Sequence, residues 1–591
     1  MLSRSEFEMM VCLKNSGSEL SQRSLADRLG FSLGKVNSLT KELMQKKLID
    51  STRKVTDKGT EALRPYKVAN AVIMAAGMSS RFAPLSYETP KGLLVVRGEV
   101  LIERQIRQLI EKGITDITIV VGYMSERFFY LEDKFGVKLV VNSDYYRYNN
   151  PSTLMKVLDR LGNTYICSSD NYFVENVFEE YVYRAYYSAV YASGKTFEYC
   201  LVTDRDDRIK KVTIGGENSW YMLGHVYFDA EFSARFKEIL SREYGSPEVR
   251  QQLWENVFMR HTDELEMYIR RYDSDKVLEF DSIDELRMFD PEYINNIDSK
   301  IMKNICRVLD CEIRDITDIQ AISAGLTNTS FSFSAKGNKY VYRHPGKGTE
   351  KYINRTSEAF SMKVASDNGL DDTFIYMDEN EGWKISRFVE DAREMDYHNL
   401  SEVGTALKMM RKLHDLRIVS EFDFGLWNKT QGFIDNLKAL GKTENEDFRE
   451  LLARIEQVRD IVTADKYSTK CLCHNDCYSP NFIIGSDGKM YLIDWEYSGN
   501  DDVASDLGTF ICCSDYSYDE ALEIYRMYNG GEFESDAQLA HFTGYTALAS
   551  FYWYVWALYL DTKGNSVGDW LYIWYKNSKV YSEKTLELLN K

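Results

Sequence analysis

The sharpest chemical pattern in this sequence is "CLCHNDCYSPNFIIGSDGKMYLIDWEYSG", residues 471–499. His474, Asp476 and Asn481 there keep the spacing H-x-D-x-x-x-x-N, and Asp494 follows an apolar run 18 residues after Asp476. Such a set suits phosphoryl transfer: Asp476 orients a substrate hydroxyl and accepts its proton, while Asn481 and Asp494 hold Mg2+ on nucleotide phosphates. Glu496 is placed to assist at the metal or at the substrate. A rival use of the loop is metal capture by Cys471, Cys473, His474 and Cys477. That spacing lacks the separated second pair of a structural zinc site, and it leaves Asn481 and Asp494 unexplained.

A second pattern is "AVIMAAGMSSRFAPLSYETPKGLLVVRGEVLIERQI", residues 71–106. The turn Ala75, Ala76, Gly77 comes directly after an apolar strand-like run, so backbone N–H groups can approach phosphates unobstructed, and Arg81 and Lys91 supply positive charge. Neither the Walker A nor the Rossmann glycine pattern is present.

These patterns need scaffolds, and 591 residues is enough chain for several domains. With 44% hydrophobic residues and only 8 Pro, the composition is that of a folded protein. A net charge of −18 disfavours nonspecific binding to nucleic acid or anionic lipid as the role of the whole chain. The ten cysteines form no recurrent framework and the N-terminus has no signal-peptide pattern, so a cytoplasmic location is expected. Leu548–Leu560 is the most apolar run, but its 13 residues fall short of the roughly 20 that cross a bilayer, so it reads as a buried helix.

The periodicities divide the chain into 1–66, 67–292 and 293–591. The first segment has helical patterns at 21–29 and 32–48 around a turn at Gly30, and Thr56, Asp57 and Gly59 suit the tip of a β-wing. It resembles a winged-helix domain of bacterial transcription regulators. It carries twelve basic and eight acidic residues over 1–65, which permits a DNA partner; a protein-docking module is the alternative. The second segment alternates apolar runs at 68–74, 93–96, 117–121, 138–141 and 164–167 with helical patterns such as 101–112, implying a mostly parallel sheet with helices on both faces. The third is strand-rich over 319–344 and then mainly helical.

The glycine turn, Arg81 and Pro90-Lys91 together resemble the signature of nucleotidyltransferases. "GITDITIVVGYMSERFFYL", "YNNPSTLMKV", "SSDNYF", "QLWENVF" and "FDSIDELRMF" narrow the resemblance to bacterial CTP:phosphocholine cytidylyltransferases. That resemblance implies nucleotide contacts at Gly122, metal ligands at Asp170 and Glu255, and an alcohol end bounded by Tyr199 and Trp254, although the family more familiarly has Asp at the Glu255 position. Tyr148, Asn149 and Asn150 are further pocket candidates. The third segment resembles choline kinases, which share a protein-kinase-like fold with aminoglycoside kinases. The resemblance makes Gly325 to Asn328 a phosphate-covering hairpin, sets Arg343 where protein kinases have Lys, and makes Glu358 its ion-pair partner. It also makes Trp553 and Trp556, in "SFYWYVWALYL", a choline-binding pair, with Tyr497 as a further candidate.

The implied fold is a winged helix, a nucleotidyltransferase α/β domain with a mostly parallel mixed sheet, and a choline/aminoglycoside kinase domain. The implied activity is bifunctional: choline and ATP give phosphocholine, which with CTP gives CDP-choline and pyrophosphate, with Mg2+ at both sites. Ethanolamine or another amino alcohol, a sugar phosphate in the second segment, or a choline-sensing DNA-binding regulator are the alternatives. The intact Asp476, Asn481, Asp494, Lys91 and Asp170 weigh against the regulator, because sensing needs no complete set of metal and proton-transfer groups.

Overall fold

Asn70–Ala75 is apolar on both faces, and a strand of that kind is stable only in the middle of a sheet covered on both sides. The computed structural model, which describes residues 1–16, 20–79, 82–280, 282–293, 298–322, 329–346, 353–563 and 566–590, places it there. Seven strands run in the order Tyr268–Arg271, Tyr186–Thr203, Ile209–Phe228, Thr164–Ser168, Asn70–Ala75, Ile117–Val121, Lys138–Val141. Pairing is parallel from Thr164–Ser168 to Lys138–Val141 and between Tyr268–Arg271 and Tyr186–Thr203; Ile209–Phe228 is antiparallel to both neighbours. Leu101–Glu111 buries Ile102, Ile106 and Leu109 against one face, in a cluster with Ile73, Ile119 and Cys167. The apolar run at 93–96 does not join this sheet: Lys91–Leu93 is a 3-10 turn and Val95–Val96 pairs only with Glu99–Val100.

Residues 1–307 form one compact unit, so the N-terminal helices belong to the same body as the sheet. Ser3, Ser21 and Ser32 cap the helices Arg4–Asn15, Gln22–Leu29 and Leu33–Gln45 by accepting backbone N–H groups. Rings hold the module in place: Tyr66 stacks on Tyr183 at 5.5 Å, and the Tyr183 hydroxyl donates to the Leu2 carbonyl. The wing is reduced to one bridge between Ile49 and Val55. Thr56, Asp57 and Gly59 are not its tip. Thr56 is the N-cap of the helix Asp57–Leu63, its hydroxyl accepting Gly59 N–H at 3.0 Å and donating to the Lys47 carbonyl at 2.8 Å.

The second unit, Val308–Lys591, begins with a five-stranded antiparallel sheet ordered Thr317–Ile322, Thr329–Ala335, Asn338–His344, Lys384–Arg387, Phe374–Met377. The helix Arg355–Asp367 accompanies this sheet, burying Glu358, Met362 and Ala365. Short antiparallel pairs then carry the loop chemistry: Lys470–Cys473 with Gly499–Asp502, and Phe482–Ile484 with Met490–Leu492. The apolar run at 548–560 lies inside Asp536–Thr562, a 27-residue helix buried on every side along its centre. No helix among the described residues is long and apolar enough to cross a membrane.

The placement of Thr56 is directly testable. Thr56→Ala loses a side-chain cap and a bond to Lys47, and is expected to cost about 1 kcal/mol in denaturant unfolding of the full chain. A residue at an exposed hairpin tip would show no measurable change.

Candidate active sites

In an open α/β sheet, ligands bind beyond the carboxyl ends of the parallel strands. A cavity of about 220 Å³ lies there, lined by Met74 to Gly77, Ser79, Pro90 to Gly92, Tyr145, Tyr148 to Asn150 and Ser168 to Asp170 among others. Ala75, Ala76, Gly77, Lys91 and Asp170 are thus brought together as expected from sequence; Arg81 lies outside the described residues. Lys91, only 7% exposed, sets its Nζ 2.9 Å from Asp170 Oδ2. A buried ammonium needs such a partner.

The glycines do different work. A Cβ on Gly77 would meet nothing within 4 Å, so its turn opens into the cavity. On Gly92 a Cβ would come within 2.8 Å of the Ser169 side chain. Gly122 does not line the cavity: a Cβ there would stand 2.8 Å from both the Ala76 carbonyl and the Tyr145 ring, and the next residue, Tyr123, donates its N–H to Ala76 O. Gly122 therefore supports the phosphate loop from behind.

The alcohol end departs further from expectation. Trp254 is 1% exposed, with its ring stacked on Tyr187 at 5.8 Å and set edgewise against Phe228 and Phe236. It is a core residue, because protein rings already occupy its face and its edges. Its backbone N–H donates to Asn150 Oδ1 at 2.7 Å, which turns the Asn150 amide toward Glu255 Oε2 at 3.5 Å. Tyr187 donates to Glu255 Oε1 at 3.1 Å, and burial pushes the Glu255 carboxyl up to about 7. Glu255 stands behind Asn150 and outside the cavity lining. Tyr199 is half-buried, with its hydroxyl accepting from Asn256 at 3.4 Å. Glu279, on the strand Val277–Glu279, stands opposite Asn171 with 3.3 Å between Asn171 Nδ2 and Glu279 Oε2. Neither Glu279 nor Glu255 lines the cavity; among the described lining residues Asp170 is the carboxylate that offers oxygens to a hard cation such as Mg2+.

In the second unit, the loop His474–Asn481 is fixed by hydrogen bonds that leave Asp476 poised. Asp506 accepts the N–H groups of His474 and Asn475 at 2.8 and 2.5 Å and is held by His414 Nε2 at 2.9 Å. Burial lowers the His474 pKa; this neutral ring accepts Asp476 N–H at Nδ1 and donates from Nε2 to Ile493 O. Asn481 donates to both the carbonyl and Oδ2 of Asp476 at 2.8 Å, leaving its amide oxygen to join Asp494 as a donor for a hard cation. Burial, then the charge of Asp494, raises the Asp476 carboxyl well above the ordinary range, as suits a proton acceptor. Cys471, Cys473, His474 and Cys477 do not form a metal group. Among the described residues, the one such group is His414, Cys473 and Asp506, and its His and Asp are hydrogen-bonded to each other.

The charge partners assemble as the resemblance implied. Arg343 contacts Glu358, with its Nη1 at 3.0 Å from Asp494 and 3.3 Å from Glu496. Glu496 therefore belongs to the phosphate side rather than the aromatic wall. Arg355, missed in the sequence reading, adds a bond to Glu358 at 2.9 Å. Gly325 and Asn328 lie outside the described residues. Trp553 and Trp556 meet at 5.2 Å and nearly perpendicular, and the structure adds two rings that sequence reading did not assign: Trp574 stacks on Trp553 at 5.8 Å, and Trp570 on Trp574 at 5.7 Å. Tyr552, against Trp553 at 5.0 Å, and Tyr497 both feel the charge of Asp476. Tyr552 and Tyr497 thus lie near Asp476, and Trp553 packs against Tyr552.

Comparison with known proteins agrees with this geometry. Family models described as choline/ethanolamine kinase, MobA-like NTP transferase domain and wHTH-PRTase associated match residues 319–545, 71–206 and 9–79. Over 217 residues the chain is 35% identical to the choline-phosphate cytidylyltransferase of Streptococcus pneumoniae, covering 37% of this chain and 95% of that one. It is equally similar, 35% over 229 residues, to a 2-aminoethylphosphonate cytidylyltransferase of Lancefieldella rimae, covering 38% and 93%. A third relative, protein LicA of Haemophilus influenzae, is 26% identical over 255 residues, covering 42% and 94%.

Two predictions follow the geometry of the first site. Gly77→Ala is expected to leave stability within about 1 kcal/mol while raising the KM for the nucleotide at least tenfold, whereas Gly92→Ala costs about 1–3 kcal/mol through the clash with Ser169; steady-state kinetics and denaturant melts separate them. Glu255 gives a pH dependence. Its folded pKa lies above its ordinary 4.5, so the folded chain holds the extra proton between those values and loses stability as pH rises from 4.5 through about 7. The loss is on the order of 3 kcal/mol, and Glu255→Gln should flatten the stability profile over that window.

Proposed function

Since the chain belongs to the choline-phosphate cytidylyltransferase family and carries a choline/ethanolamine kinase domain in its C-terminal half, we propose that it makes CDP-choline in two steps. The limits expected from sequence are 1–66 for the winged helix, 67–292 for the cytidylyltransferase and 293–591 for the kinase; the compact units divide between Arg307 and Val308, so the kinase unit begins later than 293. The kinase transfers the γ-phosphoryl group of ATP to choline, and the cytidylyltransferase joins the resulting phosphocholine to CTP with release of pyrophosphate.

At the kinase site, Asp476 takes the hydroxyl proton as the choline oxygen attacks the γ-phosphorus, and Arg343, anchored by Glu358, offsets the charge that develops. At the cytidylyltransferase site, a phosphate oxygen of phosphocholine attacks the α-phosphorus of CTP. Lys91 and the backbone N–H groups of Ala76 and Gly77 hold the phosphates in line. Magnesium, when bound by Asp494 and Asn481 in one site and by Asp170 in the other, supplies charge neutralisation on the nucleotide phosphates.

The observation that carries this reading is the cluster of aromatic rings built on Tyr552 and Trp553, in which Tyr552 feels the charge of Asp476. A trimethylammonium has no N–H to donate, so aromatic faces are the physical means of holding it, and a primary ammonium gains less from them. The equal identity to the 2-aminoethylphosphonate cytidylyltransferase favours a second reading, in which an aminoethyl compound is the acceptor at the first site.

Substitution separates the two steps. Asp476→Ala should lower phosphocholine formation about 1,000-fold or more yet leave CDP-choline synthesis from supplied phosphocholine unchanged, and Asp170→Ala should do the reverse. If neither change affects its own reaction, the site assignment is wrong; if ethanolamine or 2-aminoethylphosphonate turns over at least tenfold better than the choline compound, the alcohol is misassigned.

A further inference from the structure

The kinase site contains a cation that neither the sequence patterns nor the proposed mechanism uses. Lys384 opens the strand Lys384–Arg387 and stands directly opposite Arg343 in the antiparallel register, so the two side chains emerge on the same face of the sheet. Its residue is 9% exposed, with Nζ 3.3 Å from Glu358 Oε1 and 3.5 Å from Asp494 Oδ1. Arg343 shares both carboxylates and has Glu496 as well. Three cations, Arg343, Arg355 and Lys384, thus meet three carboxylates, Glu358, Asp494 and Glu496.

The balance of contacts distinguishes the two strand cations. Once Asp494 turns its charge toward a metal on the phosphates, Arg343 still has Glu358 and Glu496, which hold its guanidinium in a fixed plane. Lys384 keeps its pairing with Glu358, and its ammonium has three N–H donors to share out. An ammonium is a compact point charge with three donors on a flexible stem, suited to follow a phosphate oxygen, whereas a guanidinium with two or more carboxylate partners is committed to its place.

The geometry points to Lys384 as a second phosphate-binding residue of the kinase site, the one whose ammonium follows the triphosphate while Arg343, held by Glu358 and Glu496, offsets charge from a fixed position. The claim rests on the kinase reading of the C-terminal unit but not on which alcohol is phosphorylated.

The test is equilibrium binding of magnesium ATP to the full chain, with kinetics alongside, for Lys384→Met and Lys384→Arg. Lys384→Met should weaken ATP binding at least tenfold and raise the KM for ATP to match, with the KM for choline within twofold of the parent. Lys384→Arg should restore ATP binding to within threefold, which also guards against a Met variant that fails to fold. ATP affinity within twofold of the parent in Lys384→Met overturns the proposal, as does a rise in the KM for choline alone. If the parent binds ATP but phosphorylates no choline, the alcohol reading fails and the binding comparison still decides the role of Lys384.

Discussion

A charge removed from water must be matched by another, and both phosphate-handling sites of this chain are organised by that requirement. In the first unit Lys91 is matched with Asp170. In the second the match is a six-membered cluster in which Glu358 is wholly buried and Arg343 nearly so. Taking either partner away leaves an uncompensated buried charge, so the elements that present them are fixed relative to one another: the 3-10 turn at Lys91 against the end of Thr164–Ser168, and Asn338–His344 and Lys384–Arg387 against the helix Arg355–Asp367. The same pairs that hold these elements together set out charges where a nucleotide's phosphates need them. Stability and function are served by one arrangement.

Asp506 extends the principle to backbone. Its two oxygens take the N–H groups of His474 and Asn475, and Asn475 adopts a left-handed φ of 65°. Asn tolerates that region better than most residues, and its side-chain amide spans to the carbonyls of Tyr497 and Gly499. The N-terminal end of the loop is therefore tied to the segment that follows Asp494, and its C-terminal end is held by Ile493 N–H, which donates to the Asn481 carbonyl. Asp476 and Asp494 keep their separation without either being held directly by the other.

Much of this was legible in the sequence where a short motif carries its own geometry. The H-x-D-x-x-x-x-N loop, the glycine turn and the Trp553/Trp556 pair all sit on elements whose period or capping the sequence declares. What escaped depended on partners distant in sequence. Lys384 gains meaning only from standing opposite Arg343, and Trp574 from a helix that returns to Trp553. Trp254 shows the opposite error: a ring beside a functional Glu reads as a cage wall until Phe228 and Phe236 are seen to enclose it. Thr56 fits a turn as well as a helix cap by composition, and the hydrogen bond to Gly59 decides between them.

The surplus of aromatic residues serves two ends in consequence. Most are ordinary core, as with Trp254 and Trp495, while the rings near Asp476 form a wall suited to a cation without N–H groups. The most direct measurement of the central claim is the time course of products from the purified chain given choline, ATP, CTP and magnesium. The account requires phosphocholine and ADP first, then CDP-choline and pyrophosphate. Absence of CDP-choline under those conditions, with phosphocholine neither formed nor consumed, would contradict it.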